Sequence, residues 1–487
     1  MGFPIQEADR VMGWSLKPLS NGEIKAIHEA SLTLLEEVGI KIPSEKALHL
    51  LEGAGASIDP EEQVARIPEG LLNECLRKMP GEFDVYYRDG SKRLRIGGDA
   101  IYFGSVGRMV RMRDPETGEI RRLTLRDVEE LARLADALEH VDFFTVGEPL
   151  DVPLELRGLQ LIYATLRNSV KPPIVELFTA WEVRAGFEML SAVAGGPEEL
   201  RRRPIGIYIS VLNSPLYFDS KIVEALIEAS RCGLPIWAES GPIAGANSPI
   251  TLAGTLTLNN AEVLGALVIS TLAGGDEPLP FIYGTWARSI DLRSGDISLG
   301  NPEFSLLKAS TAQMARFYGL PSGGGGIITD SKTVDEQSGY EKLHTALIPA
   351  LAGLNLISGM GLLAADAIAS PEQLIIDDEV AALTKRILRG LRVDEERIAL
   401  EEIKEVRWRG DFLGRRHTLR YGREEHWVPR LSDRSRPEAW ERLGAPSLNY
   451  KAGEEVRRLL REHQPKPLPR DVEDEIKRIM RSYLREA

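Results

Sequence analysis

From Thr124 to Gly361 the chain repeats one unit: a short, continuous apolar run, a polar loop, and then an amphipathic helical stretch. The runs are FFTVGE (143–148), PIVEL (173–177), IGIYISV (205–211), PIWAES (235–240), PFIYG (280–284), SGGGGII (322–328) and LNLISGMG (354–361). Helical periodicity follows them at 154–169, 180–194, 219–232, 251–273, 303–318, 335–351 and 371–400. A strand that is apolar at every position is buried on both faces, which is the condition of a parallel sheet covered by helices. About seven such units in series predict an α/β chain folded as a (β/α)8 TIM-type barrel. An open doubly wound sheet is the alternative, because periodicity does not report closure.

The flanks differ in character. Residues 1–122 open on a helix from Asn21, with Gly39 as a C-cap, and continue into a β-rich stretch at 81–122. They are expected to form an N-terminal helical and β-rich extension. The catalytic barrel then spans 123–400. Residues 401–487 are rich in charge, Pro and Trp, and should form a C-terminal extension packed on the barrel.

The net charge of −13 argues against nucleic acid or an anionic membrane as a partner. Two cysteines, Cys75 and Cys232, form no CxxC or Cys/His cluster, and His417 and His426 make no standard ligand pair, so no metal site is expected. The start lacks a basic stretch leading into an apolar run, and no apolar run reaches the roughly 18 residues of a membrane span. A cytoplasmic protein is expected, and a barrel with added terminal segments is expected to form a homo-oligomer.

If a barrel forms, the loops after its strands share one surface, where chemistry is placed. They carry Glu148, Trp181, Asn213, Tyr217, Phe218, Glu239, Ser240, Trp286, Arg288, Thr329 and Asp330. Aromatic residues are only 6% of the chain yet recur here, and aromatic faces attract cations. Trp181, Tyr217 or Phe218, and Trp286 therefore suggest a partial cage for an ammonium group; ordinary packing at the barrel mouth is the alternative reading. Glu239, Arg288, Thr329 and Tyr340 are further candidates for substrate contact.

Residues 322–342, SGGGGIITDSKTVDEQSGYEK, are the most distinctive segment. Glycine lets a ligand approach the main chain, so Gly324, Gly325 and Gly326 are candidates for cofactor contact. Asp330, Gln337 and His344 are candidate catalytic groups along the loop and helix that follow. The competing reading is a tight strand-to-helix connection capped by Asp330 or Ser331. A phosphate cradle is disfavoured, since the GxxxxGK[ST] spacing is absent.

SGGGGIITDSKTVDEQSGYEKLHTALIPALAGLNLISGMG resembles the trimethylamine methyltransferase family. The resemblance extends through PLYFDSKIVEALIEASRCGLPIWAESGPIAGANSPITLAG to HTLRYGREEHWVPRLSDRSRPEAWERLGAPS, and back to YFGSVGRMVRMRDPETGEIRRLTLRDVEELARLAD. It implies a barrel fold and methyl transfer from a methylamine to the Co(I) corrinoid (cobalamin) of a separate corrinoid protein, with no tightly bound cofactor. It also implies that members acting on trimethylamine carry pyrrolysine near the glycine-rich strand end. Here Ile327 to Ser331 are standard residues, so the chain is similar to the non-pyrrolysine branch, which demethylates quaternary amines such as glycine betaine. If the substrate's other end is a carboxylate, Arg288 or the helix N-terminus after Asp330 could receive it. A barrel that binds a methylated amine for lyase or hydrolase chemistry, or as a sensor or scaffold, is the alternative.

Overall fold

Eight short strands share one sheet and every neighbouring pair is parallel. The computed structural model describes residues 16–408 and 410–483. In chain order the strands are β1 (Tyr102–Gly107), β2 (Phe143–Val146), β3 (Ile174–Val175), β4 (Ile207–Leu212), β5 (Ile236–Ser240), β6 (Phe281–Thr285), β7 (Ser322–Gly325) and β8 (Leu356–Ser358). Each is followed by a helix: α1 (Leu125–Ala137), α2 (Arg157–Asn168), α3 (Ala180–Ala194), α4 (Ser220–Cys232), α5 (Leu252–Gly274), α6 (Pro302–Phe317), α7 (Glu336–Ala352) and α8 (Pro371–Leu388). The ladder runs β3-β4-β5-β6-β7-β8-β1-β2. Its two ends meet where the Phe144 N–H donates to the Pro172 carbonyl (3.3 Å) and the Ile174 N–H donates to Thr145 Oγ1 (2.9 Å). The sheet is therefore a nearly closed (β/α)8 barrel.

One boundary moves. The barrel begins at β1, inside the stretch 1–122 expected to be an extension. The YFGSVG run is apolar and buried, but in sequence it sits among antiparallel hairpins, and its partner β8 pairs Leu356 with Tyr102 about half a chain away. The neighbouring hairpin, Glu82–Tyr86 with Arg93–Gly97, contributes Phe83, Val85, Leu94 and Ile96 to the same apolar cluster as the barrel interior.

Period-2 alternation decides which side chains enter the barrel. On β5, Ile236 and Ala238 join the cluster that packs against the helices, while Trp237 packs inside with Ile209, Ile282 and Phe143. The Trp237 ring is fully buried and meets Phe143 edge-on (centroids 6.1 Å apart). A Cβ on Gly323 would lie 2.7 Å from this indole, and one on Gly284 2.7 Å from its Nε1. The two glycines thus leave room for the largest side chain in the interior.

The helix α5 is long and apolar enough to cross a membrane by composition, an exception to the expectation that no run would be. Most of that span is buried inside the protein, between the barrel and the N-terminal helix Asn21–Thr33, so it is a core helix. The C-terminal region packs in part. Helix Leu448–Glu462 lies on α8 and α1, and helix Arg470–Tyr483 lies on α3. The stretch between α8 and residue 448 leaves Leu391, Trp408 and Leu413 largely exposed.

Candidate active site

The top of the barrel interior holds a cavity of about 400 Å³, a volume suited to a small organic ligand. Its walls follow from the strand register. Val106, Ile209 and Val211 come from β1 and β4, Glu176 follows β3, and Glu239 stands on β5 two residues above Trp237. The loop after β6 adds Trp286 and Arg288, and the loop after β8 adds Asp366.

Three carboxyl-bearing residues and two arginines, Arg108 and Arg288, therefore line one space, with Arg108 already donating to Glu148 (3.1 Å) and to the Glu176 main-chain carbonyl (3.1 Å). Burial pushes the Glu239 carboxyl up to about 8; Lys308 and Arg288 oppose that, and Glu176 adds to it. Burial likewise raises Glu176 to about 7, against the pull of Arg108 and with the push of Glu148 and Asp366. Burial raises Asp366 to about 6, with Arg288 opposing. Glu239 is only 5% exposed, and among the described residues its carboxyl accepts no hydrogen bond. Arg288, itself lowered by burial, donates through Nη1 to the Trp286 carbonyl (3.0 Å). That leaves guanidinium donors for a ligand.

Lys308 on α6 lies behind this wall. It is fully buried, donates to the Ala287 carbonyl (2.6 Å), and its Nζ sits 4.0 Å from the Phe304 ring centroid and 5.8 Å from that of Trp286. Burial holds its ammonium pKa well below the usual range, against the pull of Glu239. The Trp286–Phe304 pair thus already has a resident lysine.

Two networks hold the rim. Glu262, buried on α5, accepts from the Ser214 hydroxyl (2.7 Å), the Ser240 hydroxyl and the Leu216 N–H (2.7 Å), tying the loop after β4 to the end of β5. Asp366 sits in three consecutive left-handed residues, Ala364 (φ 53°), Ala365 (φ 52°) and Asp366 (φ 73°). Non-glycine residues there cost roughly 1–3 kcal/mol each, so neighbours must impose the turn. The Ala364 N–H donates to the Ser331 carbonyl (2.7 Å) and the Ala365 N–H to that of Thr329 (2.9 Å).

A family model described as trimethylamine methyltransferase (MTTB) matches residues 9–485. The chain belongs to the trimethylamine methyltransferase family. It is 33% identical over 464 residues to a trimethylamine methyltransferase MttB of Desulfitobacterium hafniense, covering 95% of this chain and 93% of that one. It is 34% identical over 430 residues to a glycine betaine methyltransferase of another strain of that species, covering 87% of this chain and 88% of that one. Among solved structures, a hydroxylamine complex of MtmB aligns with 93% of this chain and 96% of its own, at 14% identity and a TM-score of 0.49. These curated relatives are methyltransferases.

In this family member the residues singled out from sequence divide. Glu239, Trp286, Arg288 and Asn213 line the cavity together. The cage does not assemble around Trp286, because the other rings are engaged elsewhere. Trp181 stacks on Tyr483 of the C-terminal helix (6.4 Å). Tyr217 and Phe218 follow a chain pinned to the N-terminal sheet, where the Lys41 N–H donates to the Leu216 carbonyl and the Phe218 N–H to that of Lys41 (both 2.9 Å). Phe218 is fully buried and Tyr217 partly exposed.

The loop and helix after β7 are a scaffold. Asp330 accepts from the Ser298 hydroxyl (2.5 Å) and the Leu299 and Gly300 N–H groups (2.8 and 3.1 Å). Glu341 accepts from the Thr329 hydroxyl (2.6 Å), the Asp330 N–H (2.8 Å) and the Gln337 amide (2.9 Å). His344 bridges Ser305 Oγ (2.9 Å) and the Gly300 carbonyl (3.0 Å), and Tyr340 is 62% exposed. The space over the glycines is filled by the protein itself. A Cβ would meet the Thr285 carbonyl at Gly324 (2.8 Å), the Trp286 ring at Gly325 (2.3 Å) and the Thr345 carbonyl at Gly326 (2.7 Å).

Sequence reasoning missed Glu176, Lys308 and Asp366. Glu176 was legible, since it ends the PIVEL run as Glu239 ends PIWAES. Lys308 lies mid-helix and Asp366 in an alanine-rich stretch, with no turn residue to mark either.

Proposed function

We propose that this chain takes a methyl group from a small quaternary ammonium compound with a carboxylate arm, of the glycine betaine class. The observation that carries this is the cavity's polarity: Glu176, Glu239 and the Trp286 face offer a subsite for an ammonium, and Arg288 offers donors to a carboxylate. A trimethylammonium head leaves as a neutral tertiary amine once one methyl is gone, so this chain needs to supply no nucleophile and no general acid. Its residues instead fix the substrate's orientation, and such positioning can contribute several kcal/mol. A closed cage would hold the cation more strongly before transfer than during it, and so slow the reaction. A single indole with partly neutral carboxyls avoids that.

A corrinoid carried by a partner protein would supply the methyl acceptor. Among the described residues no histidine or cysteine lines the cavity, so these walls offer a corrinoid no usual axial ligand. A second hollow of about 430 Å³ shares Gly107, Arg108 and Asp366 with the first and gives such a group an approach. Trimethylamine, the substrate named for several relatives, has no carboxylate for the Arg288 donors that the Trp286 carbonyl leaves free, which favours the betaine.

The test is calorimetric titration with glycine betaine, together with NMR detection of N,N-dimethylglycine when reduced corrinoid is added. Arg288→Ala should weaken binding by about 1.5–3 kcal/mol, the worth of a charged hydrogen bond. Unchanged affinity in that variant, or no demethylation of any betaine, overturns the proposal.

A further inference from the structure

Glu176 and Glu239 descend from strands on either side of β4 and face one cavity, and among the described residues their carboxyl groups accept no hydrogen bond, Arg108 donating to Glu176 only at its main-chain carbonyl (3.1 Å). The carboxylate next to them, Glu148, is already satisfied by Arg108 (3.1 Å) and Arg157 (3.1 Å). The other charged groups facing the pair are Arg108 beside Glu176, Arg288 and Asp366 across the cavity, and Lys308 behind the Trp286 wall. Burial raises all three carboxyls despite Arg108, Arg288 and the buried lysine, so the empty site stores protons. A permanent cation changes that balance, because a positive charge within a few ångströms favours the ionised carboxyl.

Resting on the betaine reading, we infer that Glu176 and Glu239 form a proton-exchanging subsite, in which the ammonium of an arriving substrate displaces a carboxyl proton into solvent. The balance is simple. A neutral glutamic acid and a trimethylammonium become a glutamate–ammonium contact, and one proton leaves for water. When the methyl is gone the permanent cation is gone with it, and the glutamate's hold on the product lasts only while the tertiary amine carries a proton taken from solvent.

The sign follows from the empty-site values of about 7 for Glu176 and about 8 for Glu239. Affinity for the cation is low where both are protonated, rises with pH toward 8 and levels off above it. Each carboxyl that ionises on binding steepens the rise by up to about tenfold per pH unit. A quaternary ammonium does not titrate, so the ligand adds nothing to the profile.

The experiment is titration of the full-length protein with glycine betaine in phosphate and in Tris, buffers of different ionisation enthalpy. At pH 7 the apparent enthalpies should differ by the release of a substantial fraction of one proton, fading by pH 9. The Kd should fall at least tenfold from pH 6 to 8. The carbon isostere 3,3-dimethylbutanoate, which keeps the carboxylate but has an uncharged tert-butyl head, should bind with no release. Glu239→Gln and Glu176→Gln should each diminish the release. Betaine binding by the wild type with no proton exchange overturns this inference and leaves the betaine reading standing. No binding of any quaternary amine overturns both. Full release in both Gln variants assigns the proton elsewhere and overturns the inference.

Discussion

Gly325→Ala tests whether the glycine run serves the cavity by making room for its wall. The added Cβ would lie 2.3 Å from Cζ3 and 2.8 Å from Cε3 of Trp286, and 2.8 Å from Cζ of Phe304. Comfortable carbon contacts begin near 3.5 Å, so something must move by about 1 Å. Phe304 is fully buried and its ring stands edge-on to Trp286 (6.1 Å, 88°), with the Lys308 ammonium against its face. Trp286 borders the cavity, so it is the ring that shifts, into the volume a ligand needs. Overpacking of this kind costs about 1–3 kcal/mol. Urea denaturation should show that loss, and calorimetry should show a betaine Kd raised at least tenfold, about 1.4 kcal/mol. Gly339→Ala is the control. It lies on the exposed face of α7 with nothing within 4 Å, and should be neutral or stabilising by about 0.5–1 kcal/mol. A Gly325→Ala protein with wild-type midpoint and wild-type Kd refutes the reasoning, and one that loses stability but keeps its Kd refutes the link to the cavity.

Lys342 and Asp377 form a fully buried ion pair (2.6 Å), and Asp377 also accepts from the Gly361 N–H (2.7 Å) and the Gln373 amide (2.8 Å). Lys342→Met should cost about 3–5 kcal/mol in urea unfolding, and adding Asp377→Leu should recover much of it. Asp330→Ala should cost about 1–3 kcal/mol of stability by stranding the donors of residues 298–300, while changing the betaine Kd far less than Arg288→Ala does. Equal effects on the Kd would return Asp330 to the binding site. Asp142 is buried between Lys92 and Lys385 (2.9 Å each). Burial alone would raise its pKa, but the two lysines overcome this and hold it well below the usual carboxylate range. A depressed folded pKa gives stability that is complete above the unfolded value of about 3.9 and is lost as pH falls below it. Asp142→Asn should therefore be less stable than wild type at pH 7, and the gap should narrow in unfolding curves recorded below pH 4.

The units β2 to β8 were legible because each strand is buried on both faces and followed by a helix, several of them with side-chain caps, as at Thr179 and Glu182 of α3. β1 was not, because an isolated YFGSVG run among hairpins looks no different from them until β8 needs a partner. At the site, Glu239 was legible from its place at the end of a strand, and Trp286 and Arg288 from theirs just past one. Thr329, Asp330, Gln337 and His344 have the right position in sequence, but their side chains turn to Glu341, to residues 298–300 and to Ser305.

What the amino-acid order determined alone is the alternation of apolar runs and helices, hence a parallel α/β sheet, whose closure is tertiary, and the end at which polar residues gather. That information is local, held in spacings of two and of three to four residues. What the tertiary structure decided is which groups share a space. Glu176, Glu239, Arg288 and Asp366 lie on four different loops or strands and meet only because the barrel closes. The glycines of β7 belong to both levels: their strand is written in the sequence, and their purpose appears only once Trp237 and Trp286 fold against them.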